Sequence, residues 1–186
     1  MKSFIKLLGI LTCTFTFLFV SSCNNGTKQI REYSYEERVC AQDTADVKEL
    51  IASFFNLAIN NNYDEAAAML YRINPDVPKG EPILLNNEEM AEIIALLQTF
   101  PPIDYNIEYL KFTDGYENEA LCRVLVSKGE NGMPDFTTKM FFRPMNYLGK
   151  WSLSIMNTSW GDKGIVPPSQ RDSIARVYNS LQKDSI

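Results

Sequence analysis

The chain of 186 residues contains no histidine. Histidine is the usual general base and zinc ligand near neutral pH, so its absence excludes Ser-His-Asp and Cys-His catalysis and histidine-ligated zinc. Basic residues are also few, with 18 Lys and Arg against 23 Asp and Glu. A protein that binds nucleic acid needs a basic surface, so we expect no nucleic-acid partner. No motif predicts a metal site or a cofactor.

The N-terminus carries the clearest signal in the sequence. Lys2 and Lys6 precede an apolar stretch from Leu7 to Val20, which suits a signal peptide and is shorter than the roughly 20 residues of a membrane span. The order Val20-Ser21-Ser22-Cys23 resembles the lipobox read by the lipoprotein signal peptidase. We expect residues 1–22 to be removed and Cys23 to be lipidated. The alternatives are an ordinary secretory signal and an uncleaved anchor helix.

The residues after Cys23 predict a polar tether over 23–42, which connects a lipid anchor to a folded domain. Lipoproteins of Gram-negative bacteria that stay at the inner membrane commonly carry Asp after the cysteine, and position 24 is Asn. An acidic run, typical of some surface-exposed lipoproteins, is also missing. The resemblance therefore implies a cell-envelope lipoprotein anchored to the outer membrane, with its periplasmic face favoured over the cell surface.

Cysteine is scarce: besides Cys13 in the signal segment and Cys23, only Cys40 and Cys122 are present. An exported protein can keep disulfides, so Cys40 and Cys122 are a candidate bridge. The alternative is that Cys122 is a small buried apolar residue.

Hydrophobic periodicity predicts two kinds of element in separate halves of the chain. Helices are expected over 44–61, with Asp43 or Thr44 as N-cap, over 63–72, and over 88–99, with Asn86 or Asn87 as N-cap. Four alternating strands are expected over 103–109, 117–127, 136–144 and 149–157, and Ser169 is expected to cap a last helix over 170–182. This order predicts an α+β fold, with N-terminal helices packed on a curved antiparallel sheet of four or more strands, plus a C-terminal helix.

The phrase VKELIASFFNLAINNNYDEAAAML resembles the opening of the nuclear-transport-factor-two-like (cystatin-like cone) families. The resemblance implies a cone-like domain over 43–160 and a C-terminal extension over 161–186. In such a fold, inward side chains of the sheet line a conical pocket. The candidates here are Tyr105, Tyr109, Arg123, Arg143 and Trp151, for a small ligand held by hydroxyls and an arginine. The alternative is that the aromatic residues fill the core and the arginines are solvated.

Three tripeptides, Asp43-Thr44-Ala45, Asp172-Ser173-Ile174 and Asp184-Ser185-Ile186, resemble an O-glycosylation acceptor of exported bacterial proteins. They make Thr44, Ser173 and Ser185 candidate modification sites.

The sequence predicts a membrane-anchored binding or accessory module rather than an enzyme. Its partner would be a small molecule, a peptide or an envelope protein. An isomerase- or dehydratase-like enzyme that uses Tyr105 or Tyr109 with an Asp is one alternative. A structural subunit that docks on an envelope complex is the other.

Overall fold

Three helices precede the main sheet in the chain and one follows it, as the sequence predicts. The computed structural model describes residue 39 and the ranges 41–73, 81–113, 117–156 and 164–183. The signal segment, Cys23, Cys40, Ser185 and the tether up to residue 38 lie outside these described residues. The elements are α1 (Ala41–Ile59), α2 (Tyr63–Ala68), β1 (Tyr71–Arg72), β2 (Ile83–Leu84), α3 (Asn87–Thr99), β3 (Asp104–Lys111), β4 (Glu119–Ser127), β5 (Phe136–Tyr147), β6 (Lys150–Ile155) and α4 (Pro168–Lys183).

Strands β3 to β6 form a four-stranded antiparallel meander in sequence order. A second, two-stranded sheet pairs β1 with β2. The helices, the four-stranded antiparallel sheet and the C-terminal helix confirm the predicted α+β class.

The main core lies between the first three helices and one face of the sheet, which we call the helix face. α1 contributes an apolar stripe at helical spacing, and α3 contributes Ile93 and Leu97. The side chains of Phe54, Phe55 and Phe142 meet edge to face, with ring centroids 5.2–5.9 Å apart. This aromatic contact fixes how α1 crosses the sheet.

The other face of the sheet, which we call the α4 face, is covered by the C-terminal helix. A second, smaller cluster of buried apolar residues forms there, with Ile174, Ala175 and Tyr178 of α4 packed against it. Tyr178 also contacts the main core. Lys48 of α1 donates a hydrogen bond of 2.6 Å to Gln182. Helix α4 therefore extends from the α4 face to α1, past the edge strand β3.

Three predicted element boundaries are wrong, each for a local physical reason. The helix predicted over 63–72 ends at Ala68, because Tyr71 and Arg72 pair with β2. Helix α1 begins at Ala41, so Asp43 lies in its first turn and accepts a hydrogen bond from Trp151 instead of capping the helix. Helix α4 begins at Pro168, whose fixed φ suits a first helical position, and Ser169 is not its cap.

The N-cap of α3 is Asn86, one of the two predicted residues. Its side chain accepts a hydrogen bond from the Glu89 backbone N–H, and its own backbone N–H donates one to the Glu89 carboxylate, which makes a capping box. Among the described residues, no helix is long and apolar enough to cross a membrane.

Candidate functional site

A β-bulge in β3 separates the predicted pocket residues onto opposite faces of the sheet. Ile107 pairs with Cys122 and Tyr109 pairs with Leu121, so Glu108 is an extra residue between them. A bulge of this kind shifts the alternation of side chains by one position. Tyr105 therefore lies on the helix face and Tyr109 on the α4 face, although a regular strand would place them together.

On the helix face, Tyr105 and Trp151 are part of the packed core. The Tyr105 ring stacks on Phe55 with centroids 4.2 Å apart, and partial burial raises the pKa of its hydroxyl. Trp151 is buried against Phe112, and its indole nitrogen donates a hydrogen bond of 2.9 Å to Asp43. These two residues pack as the alternative interpretation of the aromatic residues predicts.

On the α4 face, a fully buried carboxylate joins the sheet to the C-terminal segment. The Tyr109 hydroxyl donates a 2.5 Å hydrogen bond to Glu119 Oε1. The backbone N–H groups of Ile165 and Val166 both donate to Glu119 Oε2, the latter at 3.0 Å. We call these four residues the Glu119 cluster. Burial and the neighbouring carboxylate raise the pKa of Tyr109 far above its ordinary value, so the hydroxyl stays protonated as a donor.

Arg171, in the first turn of α4, packs against the Glu119 cluster. Its Nε donates a 3.0 Å hydrogen bond to the Val166 carbonyl, and its guanidinium lies 4.6 Å from the centre of the Phe141 ring. Gly164 permits this approach, since a Cβ there would lie 2.6 Å from Arg171 Nη2 and 2.8 Å from the Phe141 ring. The first turn of α4 is thereby held directly over the sheet.

The two arginines of the predicted pocket also lie on the α4 face, away from Tyr105 and Trp151. Arg143 is half-buried beside Glu117 and Glu119, and burial lowers the pKa of its guanidinium. Arg123 is exposed and forms an ion pair with Glu108, with its Nε 2.6 Å from Oε1. The five predicted residues are therefore not brought together around one pocket.

An open groove of about 680 Å³ lies between α4 and strands β3 and β4. The Arg123–Glu108 ion pair lies on its sheet side, and Arg176 and Asp172 lie on its helix side. Arg176 also donates hydrogen bonds to the Asp172 carbonyl and to the Ser173 hydroxyl, both at 3.3 Å. Its lining is Asn106, Glu108, Arg123, Asp172, Ala175, Arg176 and Asn179. Charges of both signs and two amides face this groove, which we take as the candidate binding site.

Of the predicted site residues, only Arg123 lines the groove. Sequence reasoning missed the helix side of the groove, because α4 was assigned to a C-terminal extension outside the cone-like domain. It also missed Glu119, although this residue shares its strand phase with Leu121 and Leu125. An acidic residue at a buried strand position is a signal of a specific polar partner.

The remaining predicted sites fall in different places. Thr44 is half-buried in the first turn of α1, whereas Ser173 is exposed on α4 beside the groove. Cys122 is a free thiol buried in the helix face, which fits the alternative of a small apolar residue and does not show the bridge to Cys40. Within the described ranges, no three acidic or cysteine side chains are grouped to hold a metal ion.

Replacement of Glu119 tests the role of the buried carboxylate. We expect Glu119→Ala to lower the free energy of unfolding by roughly 3 kcal/mol, because it leaves buried donors without an acceptor. The matched control is Glu108→Ala, which removes a carboxylate from the same face but breaks an ion pair with an exposed arginine, at a cost below about 1 kcal/mol. Urea unfolding measures both values, and equal losses in the two variants would contradict this role.

Cys122 offers a test by chemical labelling. Burial raises the pKa of its thiol, so the reactive thiolate is scarce in the folded protein at pH 8. We expect iodoacetamide to leave Cys122 unmodified in native protein and to alkylate it fully in denaturant without reductant, as read by mass spectrometry. If alkylation in denaturant required a reductant, the thiol would be in a disulfide and the free-thiol assignment would be wrong.

Comparison of the chain with protein-family models, with curated proteins and with solved structures finds no match.

Proposed function

We propose that this protein is a cell-envelope lipoprotein, held to the membrane through Cys23, whose domain is a non-enzymatic binding module that uses the groove under α4. One observation carries the binding part of the proposal. The groove is open and lined by charged groups of both signs. The buried Glu119 and Tyr109 nearby already hydrogen-bond to each other, and Glu119 also accepts a hydrogen bond from the backbone.

The lining of the groove suits a short peptide. Arg176 offers guanidinium donors for a carboxylate, and Asp172 offers an acceptor for an ammonium group. Arg123 and Glu108 are paired with each other through Glu108 Oε1 and add one charge of each sign to the lining. Asn106 and Asn179 present amides that both donate to and accept from a peptide backbone. Ala175 is the one apolar residue of the lining, so a purely apolar ligand would displace water from the polar groups of the groove without replacing its hydrogen bonds.

The enzyme alternative requires a tyrosine and a carboxylate that a substrate can reach. Tyr109 and Glu119 are such a pair, but both side chains are fully buried and Glu119 Oε2 already accepts two backbone hydrogen bonds. A general base must lie within hydrogen-bond reach of a substrate proton. With α4 in place this pair has no such access, which favours the binding module.

The docking alternative retains one supporting observation. Val177 and Leu181 are one helical turn apart on α4, and each is 59 % exposed. Such a pair of exposed apolar side chains is a modest surface for a partner protein. The nuclear-transport-factor-two-like resemblance stays a proposal as well, supported by the order of three helices followed by an antiparallel meander.

The proposed location is the periplasmic face of the outer membrane, because position 24 is Asn and no acidic run follows Cys23. Lipid chains supply the anchoring energy, at about 0.8 kcal/mol per buried methylene, so two or three chains hold a protein firmly.

The anchor has a direct test. We expect wild-type protein to incorporate a radioactive fatty acid in cells and to fractionate with membranes, and Cys23→Ser to lose both properties. Cys13→Ser is the control, because this residue lies in the segment that would be removed. Labelling that persists in Cys23→Ser would refute the lipoprotein assignment.

The groove is tested with a defined probe, the zwitterionic peptide trialanine. We expect trialanine to shift the side-chain amide resonances of Asn106 and Asn179 in solution NMR, and Arg176→Ala to weaken that response. Arg72→Ala is the control, since Arg72 is an exposed arginine on the small sheet. Shifts confined to residues outside the groove would contradict the site.

A further inference from the structure

The β5–β6 turn carries a leucine in a backbone conformation that suits glycine or asparagine. Tyr147 pairs with Lys150, and the two residues between them, Leu148 and Gly149, both have positive φ, at 51° and 82°. Two-residue hairpin turns of this kind favour Asn-Gly, because a side chain with a Cβ is strained in the left-handed region. The Asn146 side chain completes the turn by accepting a 3.0 Å hydrogen bond from the Gly149 backbone.

Core packing does not explain why a leucine occupies position 148 either. Leu148 is 89 % exposed, more than any other large apolar side chain among the described residues. It therefore adds no core packing, while its backbone conformation costs stability. A residue that neither the local conformation nor the core accounts for is a candidate for contact with something outside the domain.

The position of the turn indicates what that contact is. Trp151 follows the turn directly, and its hydrogen bond to Asp43 joins it to the first turn of α1. The N-terminus of α1 is where the tether from Cys23 reaches the domain. Fully extended, the residues between Cys23 and Ala41 span at most roughly 60 Å. Ala41 begins the helical turn whose Asp43 contacts Trp151, next to the β5–β6 turn.

The neighbours of Leu148 have the chemistry of a membrane interface. Tyr147 and Lys150 flank the turn. They line a small cavity of about 120 Å³, whose other lining residues are Tyr71, Glu81, Pro82 and Ser152. Leu84, which pairs with Tyr71, is also largely exposed. Tyrosine settles at the headgroup level, and lysine extends its ammonium group into water while its stem lies along apolar surface.

We propose that the tip of the β5–β6 hairpin inserts Leu148 into the lipid leaflet that holds the anchor, and so orients the domain on the membrane. The proposal rests on the lipid anchor described above. One leucine is too little apolar surface to hold a free protein on lipid. The anchor makes this second contact intramolecular, and a high effective concentration lets a weak contact be populated.

Two tryptophan variants test the orientation. Leu148→Trp and Met133→Trp each add an indole, and Met133 is a matched control because it is 74 % exposed in the β4–β5 connection. That connection lies at the opposite end of β5, whose 12 residues extend over roughly 40 Å. The lipidated proteins are reconstituted in phosphatidylcholine vesicles, with or without bromine in the acyl chains, which quenches indole fluorescence on contact.

We expect brominated lipid to quench the added fluorescence of Leu148→Trp and to leave that of Met133→Trp unchanged, after subtraction of the wild-type signal. Equal quenching at both positions, or quenching at neither, would overturn the proposal. A tip that instead meets a second copy of the chain would show no bromine effect and a dependence on protein concentration.

A second experiment tests the hairpin contact independently of the lipidation of Cys23. The mature chain with Cys23→Ser is held on the same vesicles by an N-terminal polyhistidine tag and a nickel-chelating lipid. Quenching of Leu148→Trp in this experiment supports the hairpin contact even if cells do not lipidate Cys23. Its absence here overturns the contact even if lipidation is confirmed.

Replacement of Leu148 by asparagine tests the premise in solution. Asparagine tolerates the left-handed conformation, so Leu148→Asn is expected to raise the midpoint of urea unfolding relative to wild type. On vesicles, the same variant is expected to lose the protection from hydrogen exchange that lipid confers on the turn amides. A lower midpoint would mean that Leu148 supports the fold, and the proposal would fail.

Discussion

The burial of the Glu119 carboxylate is the constraint on which the C-terminal third of the structure depends. A carboxylate without solvent must be compensated by donors, or its burial is prohibitively costly. The Tyr109 hydroxyl supplies one donor from the neighbouring strand, and the backbone of Ile165 and Val166 supplies two more. Because two of the three donors belong to the segment before α4, the sheet and that segment must meet. The position of α4, and with it the groove, follows from this contact.

Much of the fold is encoded in local periodicity and was predictable. The apolar spacing of α1, an asparagine N-cap before α3 and the alternation along β4 and β5 are read directly from the sequence, because each depends on neighbours in the chain. The side of the sheet on which Tyr109 lies depends on one extra residue in β3, which periodicity does not reveal. The strand at Tyr71 was not predicted for a similar reason. Tyr71 pairs with Leu84, which is distant in the sequence, and this pairing outweighs the local helix propensity.

The candidate site was less predictable than the fold. Arg123 was identified, but its partners in the groove come from α4, and nothing in the local sequence of α4 indicates where this helix docks. The docking signal is distributed over Glu119, Gly164 and Arg171, and each of these has an ordinary local interpretation when it is taken alone. Only their contacts reveal that the helix has one place on the sheet.

The long sequence separation within the Glu119 cluster has a consequence for how the protein is made. The hydrogen bonds from Ile165 and Val166 to Glu119 join residues 46 and 47 positions apart, and Arg171 is added later still. A chain that emerges N-terminus first therefore leaves Glu119 without these two backbone donors until the segment before α4 has been synthesised. Burial of the acidic residue in the sheet is accordingly a late step of folding, which comes after the meander has been made.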